Sequence, residues 1–474
     1  MAINIKTTLR TGLTNILDGK KINDIFYSAL KILNEIGIEC RHKKTIDLLQ
    51  QNGKITYKNE RIHFDPDAME EFFHSKVKSF TDTAIDENMD FKMGSHWHAW
   101  ELCDPITNMP RPATLDEAAQ MARLSEMLGG NGCPIPVAPG GINPRLNTLT
   151  SEKIALLNTK KLGGALTATD SEEIKILSQM HQAAGRKYTL GLEGLISPLK
   201  VNSKVMDVYF EHCNSTELDI SIMGIIPMAG ATAPLVFPAN LSLMLADALG
   251  LDYIMQTISN GKHGSFSFRL DPFDFKSGNI VFGSPAWCVY RQAISELWEG
   301  LMGKPMIGGV FRSNSKTVGS QAMMERTASA IWQALLGVRA FSAVGQLSVD
   351  EVYSPVQAIL DRELLKYLRN IFYGNKSGWA EDIDIIALVK EGIEDGGFIG
   401  HDTTIGYFRR MYDFDILSSY TNLNAWKSQG CKTIEALAWE EAKLLINQHD
   451  FVLDDKKRKD VEQIFNAGVK YLIK

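Results

Sequence analysis

The chain has 474 residues, 45% of them hydrophobic and 22% charged, with a formal net charge of -6. This is the composition of a folded globular protein, and the small acidic excess excludes the basic footprint that a nucleic-acid binder needs. No apolar run reaches the roughly 18 residues that span a bilayer, and the opening MAINIKTTLRTGL lacks an apolar secretory core, so a cytoplasmic protein with no membrane or nucleic-acid partner is expected. The six cysteines, Cys40, Cys103, Cys133, Cys213, Cys288 and Cys431, are far apart without a CxxC pair and read as reduced packing residues. His212 adjoins Cys213, but no second pair stands near them to make a zinc site.

In chain order, Ile22, Ile25, Phe26, Ala29, Leu30, Leu33 and Ile36 mark one helical face ending at Gly37. A shorter helix over 45–51 follows, then two short strands, KITY and RIHF, and a helix capped by Asp65 with Pro66 in its first turn. This is a small α+β unit. The stretch 84–108 has no period, and a hairpin turning at 104–109 is expected there. From Cys133 short apolar strands alternate with amphipathic helices. The strands are expected at 133–137, 162–167, 188–192, 218–226, 264–269, 305–310 and 338–344, and the helices at 171–184, 238–259, 285–302, 319–336 and 355–372. An eighth strand near 396–400 would close a (β/α)8 barrel of TIM type. The expected division is an N-terminal α+β cap over 1–115, the barrel over 116–410 and a helical C-terminal region over 411–474. An open doubly wound sheet is the alternative, although no GxGxxG follows the first strand and no P-loop is present. The glycine- and aromatic-rich stretch from Gly396 suits either a loop closing over a barrel mouth or a subunit contact.

The centre of this pattern is 218–240. A β-branched strand stops at Pro227, and the loop PMAGATAP follows, in which Gly230 frees the backbone and Thr232 and its small neighbours permit close approach; a helix then begins near Asn240. Loops of this kind sit at the carboxyl ends of parallel strands, where ligands bind. The same ends bring Phe237, Arg269, Asp271, Phe273, Asp274, Lys276, Trp287, Tyr290, Phe311, Arg312, Asn314, Lys316, Gln346, Asp350, Glu351 and Tyr353. Aromatic rings with a few cations make a poor set for hydrolysis: GxSxG and HExxH are both missing.

The segments GIIPMAGATAP, DPFDFKSGN, FGSP, GGVFRSNSK, QAMMERTASAIWQALLG, YSPVQAILDREL and DGGFIGHDTT, in that order, resemble the trimethylamine methyltransferase family of corrinoid-dependent enzymes over nearly the whole chain. The resemblance implies a barrel that moves a methyl group from an amine to the cobalt of a corrinoid (cobalamin) carried by a separate partner protein, with no tightly bound metal of its own. Founding members use pyrrolysine, and this chain has ordinary residues throughout, which resembles the branch acting on quaternary amines. Glycine betaine is the first expected substrate, with proline betaine or carnitine next. Lys276 stands where the family pattern has arginine, Ala286 where it has glutamate, and Val318 and Gly319 where it has proline and aspartate. Ser313, Ser315, Lys316, Gln321, Glu325, Ser354, Asp361 and Glu363 match it.

A quaternary ammonium has no lone pair, so a strong nucleophile such as Co(I) attacks its methyl carbon directly, and a neutral tertiary amine leaves without acid or base. The protein then supplies orientation, exclusion of water and aromatic faces for the cation. The expected cage is Phe237, Trp287, Tyr290 and Tyr353, with Trp97 or Trp100 if the N-terminal hairpin covers the mouth. A substrate carboxylate would meet Arg312, Lys276 or His401. His401 can equally be a loop histidine bonded to nearby backbone. Three alternatives remain: a betaine-binding or regulatory protein without the reaction, a trimethylamine-type methyltransferase, and an unrelated barrel enzyme using Lys276 or Lys316. A homo-oligomer is expected.

Overall fold

The fold is given by a computed structural model that describes residues 14–81, 90–94, 98–129, 135–160, 168, 170–373, 383–412 and 417–473. The apolar stripe at its start forms α1 (Gly19–Lys31), capped by Asp18, and runs into a π-helical turn over Ile32–Ile36 that ends at Gly37 with φ 71°. β1 (Ile38–Glu39), α2 (Lys43–Asn52), β2 (Ile55–Lys58), β3 (Arg61–Phe64) and α3 (Pro66–Thr81) complete the expected α+β unit. Asp65 caps α3 by accepting from Ala68 N at 2.9 Å. After β4 (Lys92–Met93), the expected hairpin is built by β5 (Glu101–Cys103) and β6 (Pro110–Arg111), paired antiparallel. Asp104 accepts from the backbone of Ile106 and Thr107 in its turn. Arg111 joins Asp104 to Glu117 in the first turn of α4 (Leu115–Met127); the Thr107 backbone bond and then Arg111 hold the Asp104 carboxyl down at about 2, and Arg111 does the same for Glu117.

The alternation continues through α5 (Asn147–Asn158), α6 (Ser171–Ala183), β7 (Tyr188–Ile196), β8 (Lys200–Val201), α7 (Ser203–His212), β9 (Leu218–Gly224), β10 (Met228–Ala229) and α8 (Phe237–Ser259). It then passes β11 (Asp271–Asp274), β12 (Asn279–Ile280), α9 (Pro285–Met302), β13 (Gly308–Val310), α10 (Ser320–Leu335), β14 (Ala340–Ser342), β15 (Gln346–Leu347), β16 (Val352–Tyr353) and α11 (Pro355–Tyr373). α12 (Ile385–Glu394), α13 (Asp402–Tyr412), α14 (Leu423–Ser428), α15 (Ile434–Gln448) and α16 (Asp455–Leu472) end the chain.

The protein is mixed α/β, and consecutive strands pair in parallel at β7–β9, β10–β11 and β13–β14. Among the described residues the ladders fall into sheets of six, three, three and four strands, which do not close on one another. Two strand expectations change, and a third, 162–167, lies outside the described residues. At 264–269 the chain makes no ladder, and pairing begins at β11. The eighth strand at 396–400 is a turn between α12 and α13, because Gly396 and Gly397 take φ of 77° and 139°, which no ladder accepts.

The N-terminal unit joins the main sheet edge to edge, β1 pairing with β3 on one side and β8 on the other. Its helices α1, α2 and α3 pack on α8. Gly250 permits that approach, since a Cβ there would collide with Ile38 Cδ1. α8 is long and apolar enough by composition to cross a bilayer, but 83% of its apolar window is buried inside the protein, as befits a core helix covered on both faces. One core joins the N-terminal unit to β7, β9, α8 and α9, and a second joins β5, β14, β16, α4, α10, α11 and α15.

Asp247 of α8 ties this core to the chain end of β7, accepting from Ser197 Oγ at 2.7 Å and Leu199 N at 2.9 Å. Burial pushes its carboxyl up to about 6, against the pull of those two donors. A folded value above the unfolded one means that its stabilising contribution is full below about pH 4 and is lost as pH rises through about 6. Asp247→Asn keeps the acceptor oxygen and removes the charge. Its stability relative to the parent should therefore rise by up to about 3 kcal/mol between acid and neutral pH, measured by urea unfolding at both. A difference independent of pH would contradict the assignment.

Candidate functional site

The strands leading to the central loop have one closed and one open face. Leu190 and Leu192 of β7 and Leu218 and Ile222 of β9 are buried, whereas Asp219 and Ser221 are exposed and Glu193 is half-buried. The register sets Gly191 beside Ser221 and Glu193 beside Met223, so these positions share the open face. The unpaired run 264–270 repeats the pattern, with Phe268 and Leu270 buried and Ser267 and Arg269 exposed. Between α8 and these strand ends lies a cavity of about 30 Å³ lined by Pro227, Asp247, Ser267 and Arg269, room for about one water and too little for an organic cation.

The PMAGATAP loop closes on itself. The N–H groups of Ala231, Thr232 and Ala233 all donate to the Met228 carbonyl, while Thr232 Oγ1 accepts from Met228 N at 2.8 Å. Gly230 has φ 96°, and a Cβ there would press on the Phe275 ring at 2.9 Å. Asn240 donates to the Leu235 carbonyl at 3.4 Å and steadies the entry into α8. Met228 pairs in parallel with Asp271, which places the folded loop directly beside that carboxylate.

Asp271 is buried and accepts from Trp287 Nε1 at 2.9 Å. It also attracts the exposed Arg269, the half-buried Arg291 and the buried Arg312, and partial loss of solvent around each guanidinium makes it a weaker base than usual. The Arg291 guanidinium lies 5.5 Å from the Trp287 ring centre and that of Arg312 lies 4.4 Å from the Phe282 ring. Asp350 stands 3.7 Å from Arg312 and is half exposed. Three guanidinium groups and two carboxylates thus meet on a face bounded by Trp287 and Phe282.

The loop after β13 that carries Arg312 is held by the residues that match the family pattern. Glu325 accepts from Ser313 Oγ at 2.6 Å, Asn314 N at 3.0 Å and Gln321 Nε2 at 2.8 Å. Asn314 clasps the 280–282 backbone, donating to the Ile280 carbonyl and accepting from Phe282 N. Gly283, at φ 64°, allows the contact, because a Cβ there would lie 2.7 Å from Glu325 Cβ. The hairpin of β5 and β6 braces the far end, where Asn108 accepts from Val318 N and donates to the Val318 carbonyl. A proline at 318 would lack that N–H. Asp361 is fully buried and accepts from Arg326 at 2.6 Å and from Gly345 N at 2.7 Å, fixing the loop after β14. Glu363 accepts from Leu417 N at 2.7 Å. Glu325, Asp361 and Glu363 thus bond to the chain's own loops and helices.

The expected cage residues are only partly brought together. Phe237 and Tyr290 are 4.7 Å apart, ring centre to ring centre, where α8 and α9 begin, and Trp287 lies one turn before Tyr290. Burial raises the Tyr290 phenol, and its bond to the Asn240 side chain pulls it back. Trp287 has 1% of its surface exposed, so its ring is a wall of the site in this conformation. Tyr353 is buried in the second core, apart from this cluster. Trp100 is 62% exposed on the hairpin, its N–H bonded to the Glu351 carbonyl; Trp97 lies outside the described residues. Of the carboxylate binders, Arg312 stands at the cluster. Lys276 is exposed at the tip joining β11 to β12, and Ala286 is exposed at the start of α9. His401 caps α13, its Nδ1 accepting from Thr403 N, which is the loop-histidine arrangement. Arg291 and Glu193 escaped sequence reasoning; the spacing of four from Trp287 was the one signal for Arg291. Among the described residues no three His, Cys, Asp or Glu side chains gather as they would around a metal ion.

The chain belongs to the trimethylamine methyltransferase family, whose model matches residues 3–466, and it is a methyltransferase. It is similar to a glycine betaine methyltransferase of Desulfitobacterium hafniense (strain Y51), 25% identical over an alignment of 455 positions that covers 88% of this chain and 90% of the relative. It is also similar to the trimethylamine methyltransferase MttB of Methanosarcina thermophila, 23% identical over 225 residues, or 47% of this chain and 45% of the relative.

If Glu325 holds the Arg312 loop, Glu325→Ala should lower stability by about 1–3 kcal/mol in urea unfolding, and Glu325→Gln should recover much of it. Equal loss in both variants would mean that the charge, rather than the acceptor geometry, matters.

Proposed function

We propose that this protein takes a methyl group from a quaternary amine bearing a carboxylate, glycine betaine first and proline betaine or carnitine next, and delivers it to Co(I) of a corrinoid held by a separate protein. The observation that carries the reading is the gathering of Arg269, Arg291 and Arg312 around Asp271 on a face bounded by the Trp287 and Phe282 rings. A substrate carboxylate finds guanidinium donors there. Trimethylamine has no carboxylate to offer them. The relative named for glycine betaine aligns over most of this chain, and the one named for trimethylamine over about half.

In this reading Arg312, backed by Arg269 and Arg291, receives the carboxylate, while Phe237 and Tyr290 offer rings to the ammonium and the buried Trp287 holds Asp271 in place. Glu193 on the open face supplies a further carboxylate toward the cation. The corrinoid is a co-substrate that supplies the nucleophile; this chain orients the N–CH₃ bond and excludes water. The parallel pairs and the open and closed faces of β7 and β9 support a (β/α)8 barrel over 116–410, capped by 1–115 and flanked by 411–474, working in the cytoplasm. Tyr353, Trp100, Lys276 and His401 fall outside the proposed pocket in their own chain.

Calorimetric titration with glycine betaine and choline tests the charge argument. The parent should bind glycine betaine and bind choline at least about 10-fold more weakly. Arg312→Gln should abolish that preference by weakening glycine betaine alone. Equal affinity of the parent for both amines would contradict the reading.

A further inference from the structure

The turn 348–351, which joins β15 to β16, holds two residues in left-handed backbone, Ser348 at φ 49° and Val349 at φ 70°. A β-branched residue seldom enters that region, and tight hairpin turns that need it take asparagine and glycine. The valine is kept there by what surrounds it. Its N–H donates to the Ser313 carbonyl at 3.0 Å, and that of Ser348 donates to the Ser315 carbonyl at 2.7 Å, so the turn is bolted to the loop that carries Arg312. The Val349 side chain is buried with Phe282 and Trp287. The next residue, Asp350, is left 48% exposed, with its carboxylate 3.7 Å from the Arg312 guanidinium. Strain of this kind persists only where the surrounding structure over-determines it, and it gathers at functional sites.

A carboxylate that merely neutralised a buried arginine would look different. Arg326 and Asp361 make such a structural pair, 2.6 Å apart with both side chains fully buried. The Asp350 contact is longer than a hydrogen bond and half in water, so turning the side chain toward solvent costs little. We infer that Asp350 is a place-holder for the substrate's carboxylate: it lies against Arg312 in the absence of substrate and is displaced when a carboxylate arrives in bonding geometry. The inference rests on the proposed function for the identity of the substrate, and on the Arg312 loop alone for the exchange. A ligand carboxylate reaches Arg312 at about 2.8 Å, a fit that Asp350, tethered to a bolted turn, does not attain. Of the other charges acting on Arg312, Asp271 is buried and bonded to Trp287 and stays in place, and Arg269 draws the incoming anion further. Asp350 thereby becomes a specificity-determining residue. A ligand without a carboxylate leaves it where it is, whereas one with a carboxylate must outcompete it. The same competition speeds release of the demethylated amine, whose carboxylate is unchanged by the reaction.

Titration of the full chain with acetate at constant ionic strength, read as the rise in melting temperature, tests the exchange without any amine. Asp350→Asn, nearly isosteric at a half-exposed position, should reach half its rise at an acetate concentration about 10-fold below the parent's. Glu351→Gln removes an equal charge from an exposed neighbour in the same turn and should match the parent. The double variant Arg312→Gln, Asp350→Asn should lose the response. No response in Asp350→Asn, a midpoint equal to the parent's, the same gain in Glu351→Gln, or a response that survives the double variant would overturn the inference. Calorimetric titration of the same variants with glycine betaine and choline separates this outcome from that of the proposed function. Glycine betaine should tighten in Asp350→Asn as acetate does, while choline does not. If acetate follows the expected pattern and glycine betaine does not, the place-holder stands and the quaternary-amine reading falls.

Discussion

A buried carboxylate cannot stay charged without partners, and Asp271 has gathered an indole N–H and three guanidinium groups around itself. Most features of the strand-end face follow from that demand. Trp287 is oriented by its bond to Asp271, and so is the start of α9. The PMAGATAP loop must fold tightly because its strand pairs with Asp271. The Arg312 loop must be stiff, or the guanidinium would swing toward water. Glu325, Asn314 and Asn108 supply that stiffness from three different elements.

On the proposed function the arginine cluster is the recognition device. A quaternary ammonium offers no hydrogen bond and is a poor handle for orientation. Its carboxylate is a good one, since it meets guanidinium in a fixed plane. Anchoring one end of a small rigid molecule aims the other, which is what direct attack on a methyl carbon demands. The rings of Phe237 and Tyr290 then need only to be apolar and electron-rich on the correct side. No proton moves, in keeping with a site where the hydrogen-bonding residues hold loops.

Local signals were legible and distant ones were not. The helices expected at 171–184, 285–302 and 355–372 lie within a residue or two of those observed, where Asp170 and Ser284 cap the first two and Pro355 opens the third. Strand pairing is non-local, so the unladdered run 264–269 could not be told from a strand, and 396–400 read as the eighth strand when its glycines make a turn. Arg312 was readable as a cation after a strand. Arg291 was hidden inside a helix, where arginine is ordinary. Lys276 and His401 were attractive by position in the chain, but a hairpin tip and a helix cap point their side chains elsewhere. Tyr353 shows the same limit: a tyrosine beside a loop can belong to the core beneath it.

The most direct measurement is methyl transfer to free cob(I)alamin, followed by its absorbance, with glycine betaine and choline offered separately at equal concentration. The account requires methylcobalamin and dimethylglycine from glycine betaine at a rate well above that from choline. Equal rates from the two amines would show that the arginine cluster does not select the substrate, and transfer from choline alone would place the carboxylate site in the wrong part of the protein.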